Sequence, residues 1–554
     1  MTRNILKSSV QKASFSIIFQ ILFRCITFVL NAFIIRTVGQ DVLGIMNVRL
    51  LLLESTILFL SQEPLLKACL TDTKSHNWAQ VINMIWLSVP ISACLGIALV
   101  YIWINVLNPT DEIYKTQYNL GCFAIALSCI IDQCTQSVVL IVQSFCFVKL
   151  KIAFETIYIL SRTFIFVYFV VNFPNNAITA FSLAQVFSAI ILCSLYYGFF
   201  IWYIYKLNQI RAMEDNTEYI KAHPIFSDMN DFPFRSIINF FPGFMFNEDE
   251  SINKNLFTLT ISFVKQSVIK QILTEGERYV MTLSPVLTFS QQSVYDIVNN
   301  LGSLAARFIF RPIEESAYFY FTQMILRDET LTKQDQTKVA EAANVLSQLC
   351  KIVTSIGLFV VTFGQSYSYT LLFLYGGTKL VESTLPVTLL QFHCFAIVLL
   401  ATNGVTEAYV FATMNNKQLD RYNYVMVLFS ISFLILSYIL TNILGPVGFI
   451  IANCINMSAR IIHSLYYIHN KYLSTKYRPL VGLLPEKKFI GILILSGIVT
   501  KISEVCLQPK SVLLHITIGA VFVIGTLIIW ALENKDLLKL GYNKYKRKLS
   551  LKID

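Results

Sequence analysis

Residues 263–316 carry Lys265, Lys270, Glu275, Glu277, Arg278, Asp296, Arg307, Arg311, Glu314 and Glu315 between apolar residues at helical spacing. Each charge placed near the centre of a bilayer costs roughly 2.5–3.5 kcal/mol. Side chains kept at that cost normally face a bundle interior or a watered cavity rather than lipid. The first half has its own set: Arg24, Asn31, Arg36, Asn47, Arg49, Glu54, Glu63 and Lys67. Later in the chain come Glu407, the Asp420–Arg421 pair and Arg460. The in-span charges lean basic. Guanidinium groups suit phosphate because their fork makes two parallel hydrogen bonds. A basic, watered groove is therefore expected to hold a diphosphate head while lipid tails stay outside.

Each of these residues also has a plainer use. Glu275 and Arg278 are three apart and suited to pairing along one helix. Arg49 and Glu54 could bridge neighbouring helices, and Lys67, Arg36 and Arg311 could snorkel to headgroups. Asp132 and Glu155 are the isolated carboxylates that a cation-coupled exporter would want.

The elements that must position these groups are membrane spans. The chain has 554 residues, 55% hydrophobic and 14% charged, with a mean hydropathy of +0.60. That composition excludes an ordinary soluble domain and fits an all-α, polytopic membrane protein. The net charge of +11 reads as basic loops that fix topology, not as a nucleic-acid surface. Runs near 20 residues predict fourteen spans: 15–35, 42–60, 81–106, 119–142, 152–172, 178–205, 259–284, 291–310, 341–364, 385–413, 425–441, 448–468, 489–507 and 512–533. With the N-terminus in the cytosol, cytosolic segments hold 30 of the 44 Lys/Arg and the opposite loops hold 4. The bias never reverses, so both termini are expected on the cytosolic side. The first run follows Arg3, Lys7 and Lys12 and is expected to be an uncleaved span.

A polar stretch, 206–257, separates six spans from eight and reads as a cytosolic linker. Its Phe240, Phe241, Phe244 and Phe246 are suited to lying on the membrane surface. The expected organisation is a bundle over 1–205, the linker 206–257, a second bundle over 258–468, two additional spans over 469–533 and a basic cytosolic tail over 534–554. A weak repeat supports two bundles: Val42–Asn47 aligns with Val294–Asn299, and Glu63 with Glu315, at a constant offset. A parallel repeat of this kind places the pathway at the repeat interface.

Signatures of catalysis and energy coupling are lacking. The sequence contains no G-x-x-x-x-G-K-[ST], G-x-S-x-G or H-E-x-x-H motif, no C-x-x-C and no zinc spacing. The chain is read as a non-enzyme with no cofactor and no metal, and its twelve cysteines as buried, reduced thiols. The one N-x-[ST] triplet, Asn456–Ser458, falls inside a span and is not expected to be glycosylated. The sequence carries no signal for a protein partner.

Several stretches then resemble one family: QILFRCITFVLNAFIIR (20–36), GIMNVRLLLLESTILFLSQE (44–63), KQILTEGERYVMT (270–282), VYDIVNNLGSLAARFIFRPIEES (294–316), NGVTE (403–407), DRYN (420–423) and GFIIANCINM before Arg460. The chain resembles the eukaryotic Rft family, the dolichol-linked oligosaccharide translocation proteins of the endoplasmic reticulum. The resemblance implies a fold like the multidrug/oligosaccharidyl-lipid/polysaccharide (MOP, MATE-like) exporters, two six-helix bundles, here with two extra C-terminal helices. It implies flipping of a dolichyl diphosphate carrying two N-acetylglucosamines and five mannoses, for N-glycosylation, with the lipid and the bilayer as partners. It places Arg36, Glu277 and Arg460 at the family's central hydrophilic cavity. It also marks departures: a basic position before Glu63 is Gln62 here, and a double basic pair is Leu66–Lys67. The expected headgroup contacts are Arg24, Arg36, Asn47, Arg49, Glu63, Lys67, Lys270, Glu275, Glu277, Arg278, Arg307, Glu315 and Arg460. Two other functions fit the same sequence: a non-transporting accessory factor of the lipid-linked oligosaccharide pathway, and a cation-coupled antiporter in which Asp132 matters.

Overall fold

In a lipid environment every backbone polar group must be satisfied within its own segment, which favours helices throughout. The computed structural model describes residues 26, 28–70, 77–107, 112–145, 147–212, 232–243, 253–283, 286–327, 329–508 and 510–535, and its long elements are all helical. Among the described residues, nine helices are long and apolar enough to cross a membrane, or ten if one bent pair counts as a single span. The four remaining predicted spans are the first, which is described only in part, and three with strongly polar stretches: 259–284, 291–310 and 448–468.

Packing divides the chain into two units, Met1–Ser293 and Val294–Asp554. The first contains α1 (Phe28–Thr37), α2 (Gln40–Leu70), α3 (Trp78–Asn105), α4 (Glu112–Gln133), α5 (Gln136–Ser144), α6 (Val148–Asn172), α7 (Ala177–Arg211) and α8 (Lys254–Leu283). α8 lies along α2, and α7 lies along α4 and α6. The expected division at 206–257 differs from this packing boundary because α8 docks on α2.

The stretch 119–142, predicted as one span, bends by 42° between α4 and α5. Thr135 marks the break, its hydroxyl donating to the Asp132 carbonyl at 2.7 Å. α2 contains a π segment, Ile45–Leu50, and Pro64 farther on. A proline removes one backbone donor from the ladder, and π turns commonly sit at functional positions.

The described part of the linker packs on protein rather than lying free. Phe240 is buried against Phe200 and Phe234. Phe241 stacks on Tyr197 at 5.5 Å, and the Trp86 indole donates to the Phe240 carbonyl at 2.8 Å. Phe244 and Phe246 lie outside the described residues.

The second unit starts within the helix Phe289–Ala305 (α9). A second π segment, Ala306–Phe310, leads into α10 (Arg311–Met324). In the register of the sequence repeat the two π segments do not coincide. There follow α11 (Gln336–Gly376), α12 (Leu385–Thr413), α13 (Asn416–Leu444), α14 (Val447–Tyr472), α15 (Lys487–Cys506) and α16 (Val512–Glu533). At 1.5 Å per residue α11 is roughly 60 Å long, about twice the hydrocarbon thickness. α12 and α16 begin and end where the apolar runs do.

The C-terminal pair is tied to α11 by small polar side chains, which hold membrane helices together where lipid offers no hydrophobic contrast. His515 Nδ1 meets the Ser503 hydroxyl at 2.9 Å, and its ring stacks on Tyr367 at 4.2 Å. Ser366 meets Thr500 at 3.1 Å, and Ser496 meets Thr526 at 3.2 Å. Glu486, preceding α15, accepts from Lys351 of α11 at 2.7 Å, and that bond holds its carboxyl below the usual range.

A capping box starts α13: the Asn415 side chain accepts from Gln418 N at 2.9 Å, and the Gln418 side chain accepts from Asn415 N at 3.2 Å. Asn415→Ala removes both the acceptor and the reciprocal geometry. It is expected to lower stability by roughly 1 kcal/mol, read as a lower unfolding temperature of the purified protein in detergent.

Candidate functional site

The polar wall of the first unit is built where α2 and α8 run side by side. Glu63 sits near the end of α2, and its Oε1 is 3.1 Å from Lys67 Nζ on the same helix and 3.1 Å from Lys270 Nζ of α8. Lys270 also lies over the Phe59 ring at 5.1 Å, and Lys67 over Phe263 at 6.0 Å. Two ammonium groups on partly exposed side chains thus share one carboxylate. The Thr56 hydroxyl meets Tyr279 OH at 2.7 Å, and Glu275 pairs with Arg278 at 3.1 Å. Gln62, beside Glu63, donates to Gln136 of α5 at 2.7 Å.

A second node joins α2, α6 and α7. Gln185 of α7 donates to the Glu54 carboxylate. Arg162 of α6 lies 4.0 Å from the same oxygen and donates to Gln185 Oε1 at 3.3 Å. Asp132 accepts from Gln136 at 3.3 Å, and Glu155 pairs with Lys151 at 3.6 Å on the α6 surface.

Arg49 belongs to the packed interior, only 2% exposed. It donates to the Thr282 carbonyl at 3.4 Å and lies over the Phe289 ring at 5.1 Å. The Trp103 indole donates to the Arg49 carbonyl at 3.1 Å. This environment makes Arg49 a helix-to-helix tie.

In the second unit Arg460 of α14 donates to Glu407 of α12 at 2.5 Å. Tyr422 OH donates to the other oxygen of Glu407 at 2.8 Å, and Asn403 Nδ2 donates to Oε2 at 3.1 Å. Glu314 of α10 lies against Gly404, where a Cβ would overlap its carboxylate. Two carboxylates and one guanidinium therefore share this interior. The sequence singles out Glu407 but not its pairing with Arg460, because the two lie on different helices and no spacing relates them.

The remaining expected residues are scattered. Arg36 is exposed near the end of α1, Asn47 is half-buried in the first π segment, and Glu277 is half-buried on α8. Glu315 pairs with Arg311 at 3.0 Å, both well exposed. Arg24 and the Arg307 side chain lie outside the described residues. Among the described residues no group of His, Cys, Asp or Glu has the geometry to hold a metal.

Segments 327–331, 414–421 and 470–474 of the second unit gather around one polar cavity of about 870 Å³. α11 and α12 separate the first segment from the second, and α13 and α14 separate the second from the third. Two crossings each time return the chain to the same end, as alternating spans require.

These features define a multi-pass helical architecture. The structure is similar to the lipid II flippase MurJ in an inward closed conformation, with a TM-score of 0.56 at 11% identity over 95% of this chain and 99% of that one. It is also similar to an inward-facing multidrug-resistance MATE transporter of the MOP superfamily, with a TM-score of 0.52 at 10% identity over 81% and 95% of the two chains. The fold is MOP-like. The Rft protein family model matches residues 8–544, and the chain belongs to that family. The Drosophila melanogaster protein named Man(5)GlcNAc(2)-PP-dolichol translocation protein is 50% identical over all of both chains. Those of the same name from Xenopus tropicalis and Mus musculus are 41% identical, over 97% of this chain and 96% of theirs, and 38% identical, over 94% and 93%.

Proposed function

We propose that the protein moves dolichyl-diphosphate-linked oligosaccharide, with two N-acetylglucosamines and five mannoses, from the cytosolic to the lumenal leaflet of the endoplasmic reticulum for N-glycosylation. The end-to-end similarity to relatives bearing that name carries this reading. The charge arrangement supports it. A diphosphate needs cations, and the Lys67–Glu63–Lys270 group offers two partly exposed ammonium groups. Arg36, Arg24, Arg278 and Arg460 add guanidinium groups suited to phosphate oxygens, while Glu277, Glu275 and Asn47 orient them or meet sugar hydroxyls. The dolichyl chain stays in lipid, so only the head is desolvated. The transport step is alternating access without covalent chemistry, and both termini stay cytosolic.

Expression in cells depleted of their own family member tests the role. A glycoprotein reporter should regain full occupancy; no recovery at normal expression refutes the proposal. Replacing both lysines (Lys67→Gln with Lys270→Gln) removes both ammonium groups that pair with Glu63 and lowers the local charge by two. Each charge-assisted hydrogen bond is worth roughly 1.5–3 kcal/mol, so reporter glycosylation should slow by about tenfold or more. Either single change, which keeps one ammonium, should have a smaller effect.

A further inference from the structure

We propose that the cavity at the end of the second unit is a binding site for a glycosyl phosphate, a sugar bearing a phosphate ester. At about 870 Å³ it falls within the range of small-molecule sites, roughly 300–1,000 Å³. Its lining combines the two chemistries that such a ligand needs.

The phosphate side is cationic. Arg327, Arg421 and Lys471 line the cavity against one carboxylate, Glu329. Lys471 donates to the Thr413 carbonyl at 2.6 Å. Arg327 donates to the Ala412 and Phe411 carbonyls at 3.1 and 3.3 Å. These three carbonyls end α12, and a helix end carries only about half a negative charge. Two full cations over it leave the rim electropositive. Arg421 is exposed and has no hydrogen-bond or ion-pair partner among the described residues, so its whole fork is available to a phosphate.

The sugar side is aromatic and amide-rich. Tyr466 lines the cavity at 67% exposure, a large ring left uncovered beside polar neighbours. Asn470 adds an amide. Flat rings cover a sugar's apolar face while amides meet its hydroxyls.

The site is separate from the Lys67–Glu63–Lys270 group and does not depend on translocation. Only the lipid-borne source of the ligand rests on the proposed function. Binding to the purified full chain in nanodiscs, measured by calorimetry, tests it. The probes are N-acetylglucosamine 1-phosphate and a short isoprenyl diphosphate carrying N-acetylglucosamine, with inorganic phosphate and free N-acetylglucosamine for comparison. Saturable binding of the sugar phosphate, tighter than either part alone and about tenfold weaker in Arg421→Gln, is expected. Arg421→Lys should fall between, and Tyr466→Ala should erase the advantage over phosphate. Binding confined to the isoprenyl probe, with the same Arg421 dependence, supports the site and makes its ligand a lipid headgroup. No saturable binding of either probe, or equal affinity in wild type and Arg421→Gln, overturns the proposal. Arg421 is exposed and without a partner, so its variants should elute as the wild type does.

Discussion

Arg460→Ala should be among the most damaging single substitutions in the second unit. Glu407 is only about a tenth exposed and is held by Arg460, Tyr422 and Asn403. Truncating the arginine leaves that carboxylate without its cation, with Glu314 close by. Breaking a buried pair from one side typically costs about 3–5 kcal/mol, and the quarter exposure of Arg460 points to the lower end. Thermal unfolding in detergent should show the loss. Adding Glu407→Gln should recover more than half of it, because a neutral amide still accepts from Tyr422 without needing a cation. The double variant should remain poor in glycosylation, since its guanidinium is gone. An unchanged unfolding temperature in Arg460→Ala would mean that the pair contributes nothing to the fold.

Gly44→Ala should be nearly as severe, for a steric reason. A Cβ at Gly44 would meet the backbone carbonyl of Phe289, with its carbon only 2.8 Å away. A side chain would swing aside, but a backbone cannot, so α2 and the start of α9 must separate. Overpacking of this kind costs about 1–3 kcal/mol. The shift would also disturb Arg49, which lies over the Phe289 ring in the same contact. Gly198 provides the control: nothing lies within 4 Å of a Cβ built there, and alanine is the better helix former by roughly 0.5–1 kcal/mol. Gly198→Ala should therefore match or exceed wild-type stability, and equal loss in both variants would remove the steric explanation.

The apolar runs made most of the helices legible, because in lipid the length of a run is itself the structural constraint. One local pair, Glu275–Arg278, was legible because helical spacing alone sets it, whereas Arg311 and Lys67, read as snorkelling to headgroups, pair with Glu315 and Glu63 four residues away on their own helices. Partners across helices were not legible. Lys270 joins Glu63 from more than two hundred residues away. Arg49 and Glu54 do tie neighbouring helices, yet to Thr282 and Gln185 respectively, choices fixed by packing angles that no periodicity encodes. The bend at Thr135 was hidden because no proline or glycine marks it, and the docking of Phe240 because an aromatic-rich stretch reads alike on lipid and on protein. Arg421 stood in a recognisable motif, but its place in a cavity emerges only when three distant segments meet.

Proteoliposomes settle the direct role. Purified protein is reconstituted with fluorescent dolichyl-diphosphate oligosaccharide, and the label accessible from outside is followed over time, with empty vesicles and the Lys67→Gln/Lys270→Gln protein alongside. Direct translocation by a cationic headgroup site predicts protein-dependent loss of outer-leaflet label, slowed about tenfold or more in the double variant. Label that stays outside in wild-type vesicles at the empty-vesicle rate would contradict it and leave the accessory role in its place.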